Sequence, residues 1–88
     1  MKKAIIVGAS SGIGEEMAKQ LSEKGYQLGL MARRIELLNT LNDELGSRHL
    51  VMQIDLQNFD DAEKKLATMI SELKDVDIII LNLSLIHI

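Results

Sequence analysis

The sequence contains no cysteine and no proline, and its aromatic side chains stop at Tyr26 and Phe59. Without cysteine there is no disulfide and no thiolate metal site, and a reducing cytoplasm suits such a chain. No window approaches the roughly 20 apolar residues that a membrane span requires. The short apolar run after Met1-Lys2-Lys3 gives way to glycine and serine too soon for a signal peptide. A net charge of −3 gives no reason to expect nucleic acid or an anionic membrane as a partner. The missing prolines and scarce aromatics exclude no function. At 88 residues, 47% of them hydrophobic, the chain is long enough for one small domain and too apolar to be disordered.

What is present is organised around Ala4 to Gly14. Ala4–Val7 reads as a buried strand that runs into a turn with glycines at 8, 12 and 14. From Ile13 the apolar spacing becomes helical, with Ile13, Met17 and Leu21 recurring every four residues. Strand, glycine turn and helix start form a phosphate-binding arrangement, because free backbone N–H groups and the positive end of the helix dipole converge on one spot. In that reading Gly8 permits the tight turn, Gly12 lets a pyrophosphate approach the backbone, and Gly14 lets the helix pack close to the strand. Ser10 and Ser11 are candidates for phosphate or ribose contacts, and Ser10 equally for a helix cap. A turn that uses glycine only for backbone freedom is the competing explanation; the flanking strand and helix patterns favour the ligand.

The first helix is expected from Gly12 to Lys24, closed by Gly25 in a left-handed cap, with Glu15, Glu16, Lys19 and Glu23 on a solvated face. A strand over Tyr26–Ala32 ends at Arg33-Arg34. A helix over Ile35–Leu45 follows, with Leu38, Leu41 and Leu45 on one stripe and Gly46 as its stop. Leu50–Ile54 is a third strand, terminated by Asp55-Leu56. A third helix, Phe59–Leu73, turns Ala62, Leu66, Met69, Ile70 and Leu73 inward. Met17 and Met69 read as core filler. Val76–Leu81 is a fourth strand, apolar enough for burial on both faces. This alternation predicts an α/β fold, a doubly wound parallel sheet of Rossmann type running to the fourth strand. A nucleotide would lie across the carboxyl ends of the strands, where Gly8, Arg33, Asp55 and Asn82 fall.

The end of the second strand selects the nucleotide. An NAD site places a carboxylate there for the ribose hydroxyls. This chain has Ala32 followed by Arg33 and Arg34. A guanidinium can grip a 2′-phosphate with charge-assisted hydrogen bonds, so the expected cofactor is NADP (NADPH). Two arginines as ordinary surface charge are the plainer alternative. Asp55, taken alone, reads as a turn cap. His49 and His87 are too isolated to be ligands, and no metal site is expected.

The spacing G-x-x-x-G-x-G, with Ala-Ser-Ser inside it and Ile13 between the last two glycines, resembles the short-chain dehydrogenase/reductase family. Val7 departs from the threonine usual before the first glycine. The resemblance spans residues 1–82. It implies that Asp55-Leu56 binds adenine, the carboxylate taking its amino group, and that Asn82 matches the second asparagine of the family's Asn-Asn-Ala-Gly, with Leu81 replacing the first. The implied reaction is hydride transfer between NADP(H) and a small-molecule carbonyl or secondary alcohol. The family's catalytic serine, tyrosine and lysine lie well beyond the fourth strand. Tyr26 has no lysine four residues later, so no catalytic residue is assigned. A non-catalytic dinucleotide-binding regulatory module would carry the same residues up to Asn82, and a downstream Tyr-x-x-x-Lys separates the two. An S-adenosylmethionine methyltransferase is disfavoured by the arginines, since that cofactor has no 2′-phosphate. Whether a complete protein forms a homo-oligomer stays open. Residues 83–88, Leu-Ser-Leu-Ile-His-Ile, coincide with one reading frame of a transposase mosaic-end adapter used for DNA sequencing libraries. They are expected to be a non-native tail on a partial dinucleotide-binding domain of residues 1–82, a natural hydrophobic strand end being the alternative.

Overall fold

The apolar run that follows Lys2 forms the first strand of the sheet, and every later element alternates with it in type. The computed structural model describes residues 1–10 and 12–82. Its elements are β1 (Lys3–Val7), α1 (Gly12–Glu23), β2 (Gln27–Ala32), α2 (Ile35–Glu44), β3 (Leu50–Gln53), α3 (Phe59–Leu73) and β4 (Ile78–Leu81). The strands are parallel, in the order β3-β2-β1-β4. The chain therefore walks outward from β1 to β3, and α3 carries it back to the other side of β1. Val7 pairs with Met31 on one side and with Leu81 on the other, which brings the carboxyl ends together. This is the expected doubly wound parallel arrangement, with the reversal of strand order at β1.

Side chains alternate across a strand, so β1 feeds two cores. Ala4 and Ile6 join Ala18, Leu28, Leu30, Leu38 and Leu41 on one face; Ile5 and Val7 join Met31, Ile54, Met69 and Leu73 on the other. Each fully buried isoleucine contributes about 1.5–3 kcal/mol relative to an exposed one. Gly29 of β2 marks where α3 sits directly on the sheet: a Cβ there would lie 2.7 Å from both Met69 Sδ and Leu73 Cδ1.

Two helix faces differ from expectation. On α1 the buried stripe is Gly14, Ala18 and Ser22, not Ile13, Met17 and Leu21. Ile13 is 70% exposed, and Met17 and Leu21 are only half-buried. Small residues let this helix approach the sheet more closely than large ones would, and the apolar side chains flank the contact. On α3, Ala62, Met69 and Leu73 are buried as expected, but Ile70 is turned outward beside the Met69 stripe. β4 begins two residues later than expected, after Lys74 and Asp75 pass through positive φ. Its Ile78, Ile79 and Leu81 remain exposed, so the burial on both faces that its composition suits is not reached among the described residues.

A polar network closes the sheet near its amino ends. His49 stands just before the β2–β3 ladder, which starts at the Gly29–Leu50 pair. The Leu28 N–H donates to His49 Nδ1 at 3.0 Å, which leaves the ring proton on Nε2, 3.0 Å from Ser22 Oγ. Arg48 donates to the Ser22 carbonyl at 2.7 Å and to its hydroxyl at 3.0 Å. The Asn42 side-chain amide bonds to the His49 backbone in both senses, donating at 3.2 Å and accepting at 3.0 Å. His49 is thus a core histidine. Among the described residues, no buried side-chain nitrogen or oxygen lacks a partner.

Candidate functional site

The turn after β1 is held in place by its neighbours on both sides. The N–H groups of Gly8 and Ala9 both donate to the Met31 carbonyl, at 2.7 and 3.2 Å. On the other side, Asn82 N–H donates to the Val7 carbonyl at 2.8 Å, and Asn82 Nδ2 donates to the Gly8 carbonyl at 3.1 Å. Gly8 has φ +87°, and a Cβ there would lie 2.2 Å from the Asn82 carbonyl oxygen. A Cβ on Gly14 would lie 2.2 Å from the Gly8 oxygen and 2.7 Å from Asn82 Nδ2. Both glycines are therefore required by packing, and Asn82 is the third member of the lock. Sequence reasoning assigned Asn82 to the ligand; its structural duty to Gly8 was not visible in strand periodicity.

Gly12 is different. It has φ +56° and nothing within 4 Å of the place a Cβ would occupy, so the space over it is open. Among the described residues, no backbone acceptor outside the helix meets the N–H groups of Gly12, Ile13 and Gly14. These three donors point out of the start of α1, where the helix dipole favours negative charge. Ser10 is half-buried beside them, and Ser11 lies outside the described residues, as do residues 83–88. A cleft between α1 and α2 also touches Ser10, but Glu15 and Glu44 line it and make it hostile to an anion.

At the end of β2, Ala32 is buried and Arg33 and Arg34 are exposed. The Arg33 carbonyl accepts from Gln53 Nε2 at 2.8 Å, while its guanidinium has no partner among the described residues. Arg34 is the N-cap residue of α2 and makes no side-chain cap bond. Its Nε donates instead to Glu36 Oε1 at 2.8 Å. The Glu36 carboxyl is held below its usual range, first by its own backbone N–H and then by Arg34.

At the end of β3, Asp55 Oδ1 accepts from the Gln57 N–H at 3.0 Å, and the Asp55 carbonyl accepts from Asn58 N–H at 3.1 Å. The turn-capping duty is thus real, and it engages one carboxylate oxygen. Leu56 beside it is 41% exposed. Asn58 then caps α3 by accepting from Asp61 N–H at 3.2 Å. The structure brings Gly8, Ser10, Gly12, Ile13, Gly14, Arg33, Arg34, Asp55, Leu56 and Asn82 to one edge of the sheet. Gln53 and Glu36, which bond to the arginine pair, were missed. Their only signal was position, at a strand end and in a first helical turn.

Tyr26, at the amino end of β2, is on the opposite edge from this site. Among the described residues there is no group of three or more His, Asp or Glu placed to hold a metal, and no helix is long and apolar enough to cross a membrane.

The sequence profile described as short chain dehydrogenase matches residues 2–87. An NADP-dependent 3-hydroxy acid dehydrogenase of Salmonella typhi is 33% identical over 81 residues, which cover 92% of this chain and 33% of that protein. A very-long-chain 3-oxoacyl-CoA reductase of Aspergillus terreus is 37% identical over 90 residues, covering 96% of this chain and 25% of that one. Among solved structures, an alcohol dehydrogenase from the archaeon Thermococcus sibiricus, complexed with 5-hydroxy-NADP, superposes with a TM-score of 0.84 at 32% identity. That superposition covers 90% of this chain and 35% of the archaeal one. The chain thus spans about a third or less of the length of these relatives.

Proposed function

The chain belongs to the short chain dehydrogenase family, and from that premise we propose that it is the NADP-binding portion of an oxidoreductase. The complete protein would transfer hydride between NADP(H) and a small-molecule carbonyl or secondary alcohol. One observation carries the NADP assignment: Ala32, where an NAD site needs a carboxylate, supplies none, and the Arg33 guanidinium that follows it has no partner among the described residues.

The residues present fit that cofactor. The open N–H groups of Gly12, Ile13 and Gly14 suit a pyrophosphate, with Ser10 and Ser11 beside them, and a Cβ on Gly12 would enter the space the phosphates need. Arg33 suits the 2′-phosphate. Asp55 has a second carboxylate oxygen to offer an adenine amino group, and exposed Leu56 offers an apolar surface to the ring. When bound, the nicotinamide supplies or accepts the hydride; this chain's residues bind and orient it. The two relatives and the archaeal structure named above carry NADP or an oxoacyl or hydroxy acid substrate in their names, which supports the same reading.

Titrating the chain with NADPH and NADH at low and high salt tests the assignment. NADPH should bind more tightly, with the advantage shrinking as salt screens the phosphate. Equal affinities at low salt refute it. A second reading, a non-catalytic dinucleotide-binding module, would carry the same residues up to Asn82. A Tyr-x-x-x-Lys in the continuing reading frame decides for the enzyme, and its absence decides for the module.

A further inference from the structure

The arginine pair after β2 is a single feature in the sequence, but its two members are held differently. Gln53 closes β3 and donates to the Arg33 carbonyl at 2.8 Å, next to the Ile54 N–H that meets the Ala32 carbonyl at 2.9 Å. Only the nitrogen of the Gln53 amide can donate to a carbonyl, so its orientation is fixed. The Arg33 backbone is thereby tied to both β2 and β3, while its guanidinium stays without a partner among the described residues. Arg34 is the reverse case. It begins α2, and its Nε donates to Glu36 at 2.8 Å. Glu36 stands in the first turn of α2, where the helix dipole favours a negative charge. A phosphate that recruits Arg34 meets a guanidinium whose Nε is already taken and whose charge Glu36 partly offsets.

Resting on the NADP reading above, we propose that the pair acts as one grip: Arg33, positioned by Gln53, takes the 2′-phosphate, and Glu36 withholds Arg34 from it. Glu36 and Gln53 then set how strongly the site prefers a 2′-phosphorylated nucleotide, Glu36 lowering the preference and Gln53 raising it. The Arg34 and Glu36 side chains are 68% and 60% exposed, so the withholding is modest and can be reversed by one substitution.

Nitrogen-15 NMR titration of the chain tests this, using adenosine 2′,5′-bisphosphate and 5′-AMP, which differ only in the 2′-phosphate. The Arg33 Nε–H resonance should move with the bisphosphate, and that of Arg34 should not. Glu36→Gln should tighten the bisphosphate about two- to fivefold and leave 5′-AMP unchanged. Arg34→Ala alone should change little, yet in the Glu36→Gln background it should erase the gain. Gln53→Leu should weaken the bisphosphate about two- to tenfold without affecting 5′-AMP. The amide spectrum of each variant reports its fold in the same experiment.

Two failures are distinguishable. If the chain binds both ligands alike, or not at all, or if Arg33→Ala leaves the preference intact, the NADP reading itself falls and takes this proposal with it. If Arg33→Ala removes the preference, but Arg34→Ala does so equally and Glu36→Gln has no effect, the NADP reading stands and the division between the two arginines is overturned.

Discussion

At the amino edge of the sheet, His49 commits both ring nitrogens to protein partners and Ser22 takes bonds from two residues. At the carboxyl edge, three backbone donors of Gly12–Gly14 and the Arg33 guanidinium commit to none among the described residues. Both edges are polar, and both are built on the same strands. The amino edge ties α1, β2 and the end of α2 to one another, so its polar groups serve the fold. The carboxyl edge leaves its polar groups open, and the fold must hold them by other means: glycine packing and Asn82. Asn82 and Gly8 therefore hold this edge of the fold together, while Gly12 meets no atom where a Cβ would stand and the Arg33 guanidinium has no partner among the described residues, which under the proposed function leaves both to the ligand.

Substitutions can break this comparison, and the largest expected effect is where the glycines pack against each other. Gly14→Ala drives a methyl group into the Gly8 carbonyl, an atom of backbone that cannot swing aside. It should cost on the order of 3 kcal/mol or more, enough to unfold a small domain, read by chemical denaturation. Acid should come next. Burial, and then the charge of Arg48, push His49 down to about 4. The unfolded chain titrates near 6.5. Between those values the unfolded state binds a proton that the native state refuses, so this stability is complete above about pH 6.5 and is lost as pH falls to about 4. The loss should reach about 3 kcal/mol at most, and His49→Gln should flatten that part of the pH–stability curve. An unchanged curve in the variant would show that the amino edge is not held by the neutral imidazole.

Ser22→Ala should cost about 1–3 kcal/mol, because it strands the His49 Nε2 proton and one Arg48 contact in a buried place. Gly12→Ala sharpens the contrast. It meets no atom but keeps a positive φ, so it should cost only about 1–2 kcal/mol of stability while removing nucleotide binding. The smallest stability effect is expected for Arg33→Ala, within about 0.5 kcal/mol. The same variant should lose about tenfold or more in NADPH affinity and little in NADH affinity, as measured by titration.

The fold was readable because its elements follow the buried pattern closely. The limits of α3 coincide with the sequence expectation at both ends, Phe59 and Leu73, where Asn58 caps the start and Lys74 breaks the end with φ +60°. The face of α1 was misjudged for a physical reason. Hydrophobicity identifies large apolar residues, but close packing on a sheet selects small ones, and Gly14, Ala18 and Ser22 carry little apolar signal. At the site, the glycines and arginines stood out by residue type. The division between Arg33 and Arg34 did not, because it depends on a glutamate reaching back from a helix and a glutamine reaching across from a neighbouring strand. The amino-edge network was equally silent, since Ser22, Asn42 and His49 converge only after three elements have packed.

The position of β1 also sets an order of events during synthesis. β1 leaves the ribosome before β2, β3 and β4, yet one of its two edges stays bare until β4 arrives, and the bond from Lys3 to Asp77 spans 74 positions. Pairing β1 with β2 closes a loop about a third as long, which by chain entropy alone is favoured by about 1 kcal/mol. The three-stranded piece β1-β2-β3 can therefore assemble on the nascent chain before β4 exists. The glycine turn cannot, because Asn82 supplies the contacts that seat Gly8 and Gly14. A nascent chain arrested before residue 82 should carry the glycine loop without its seat, so under the proposed function nucleotide binding would be the last property this segment acquires.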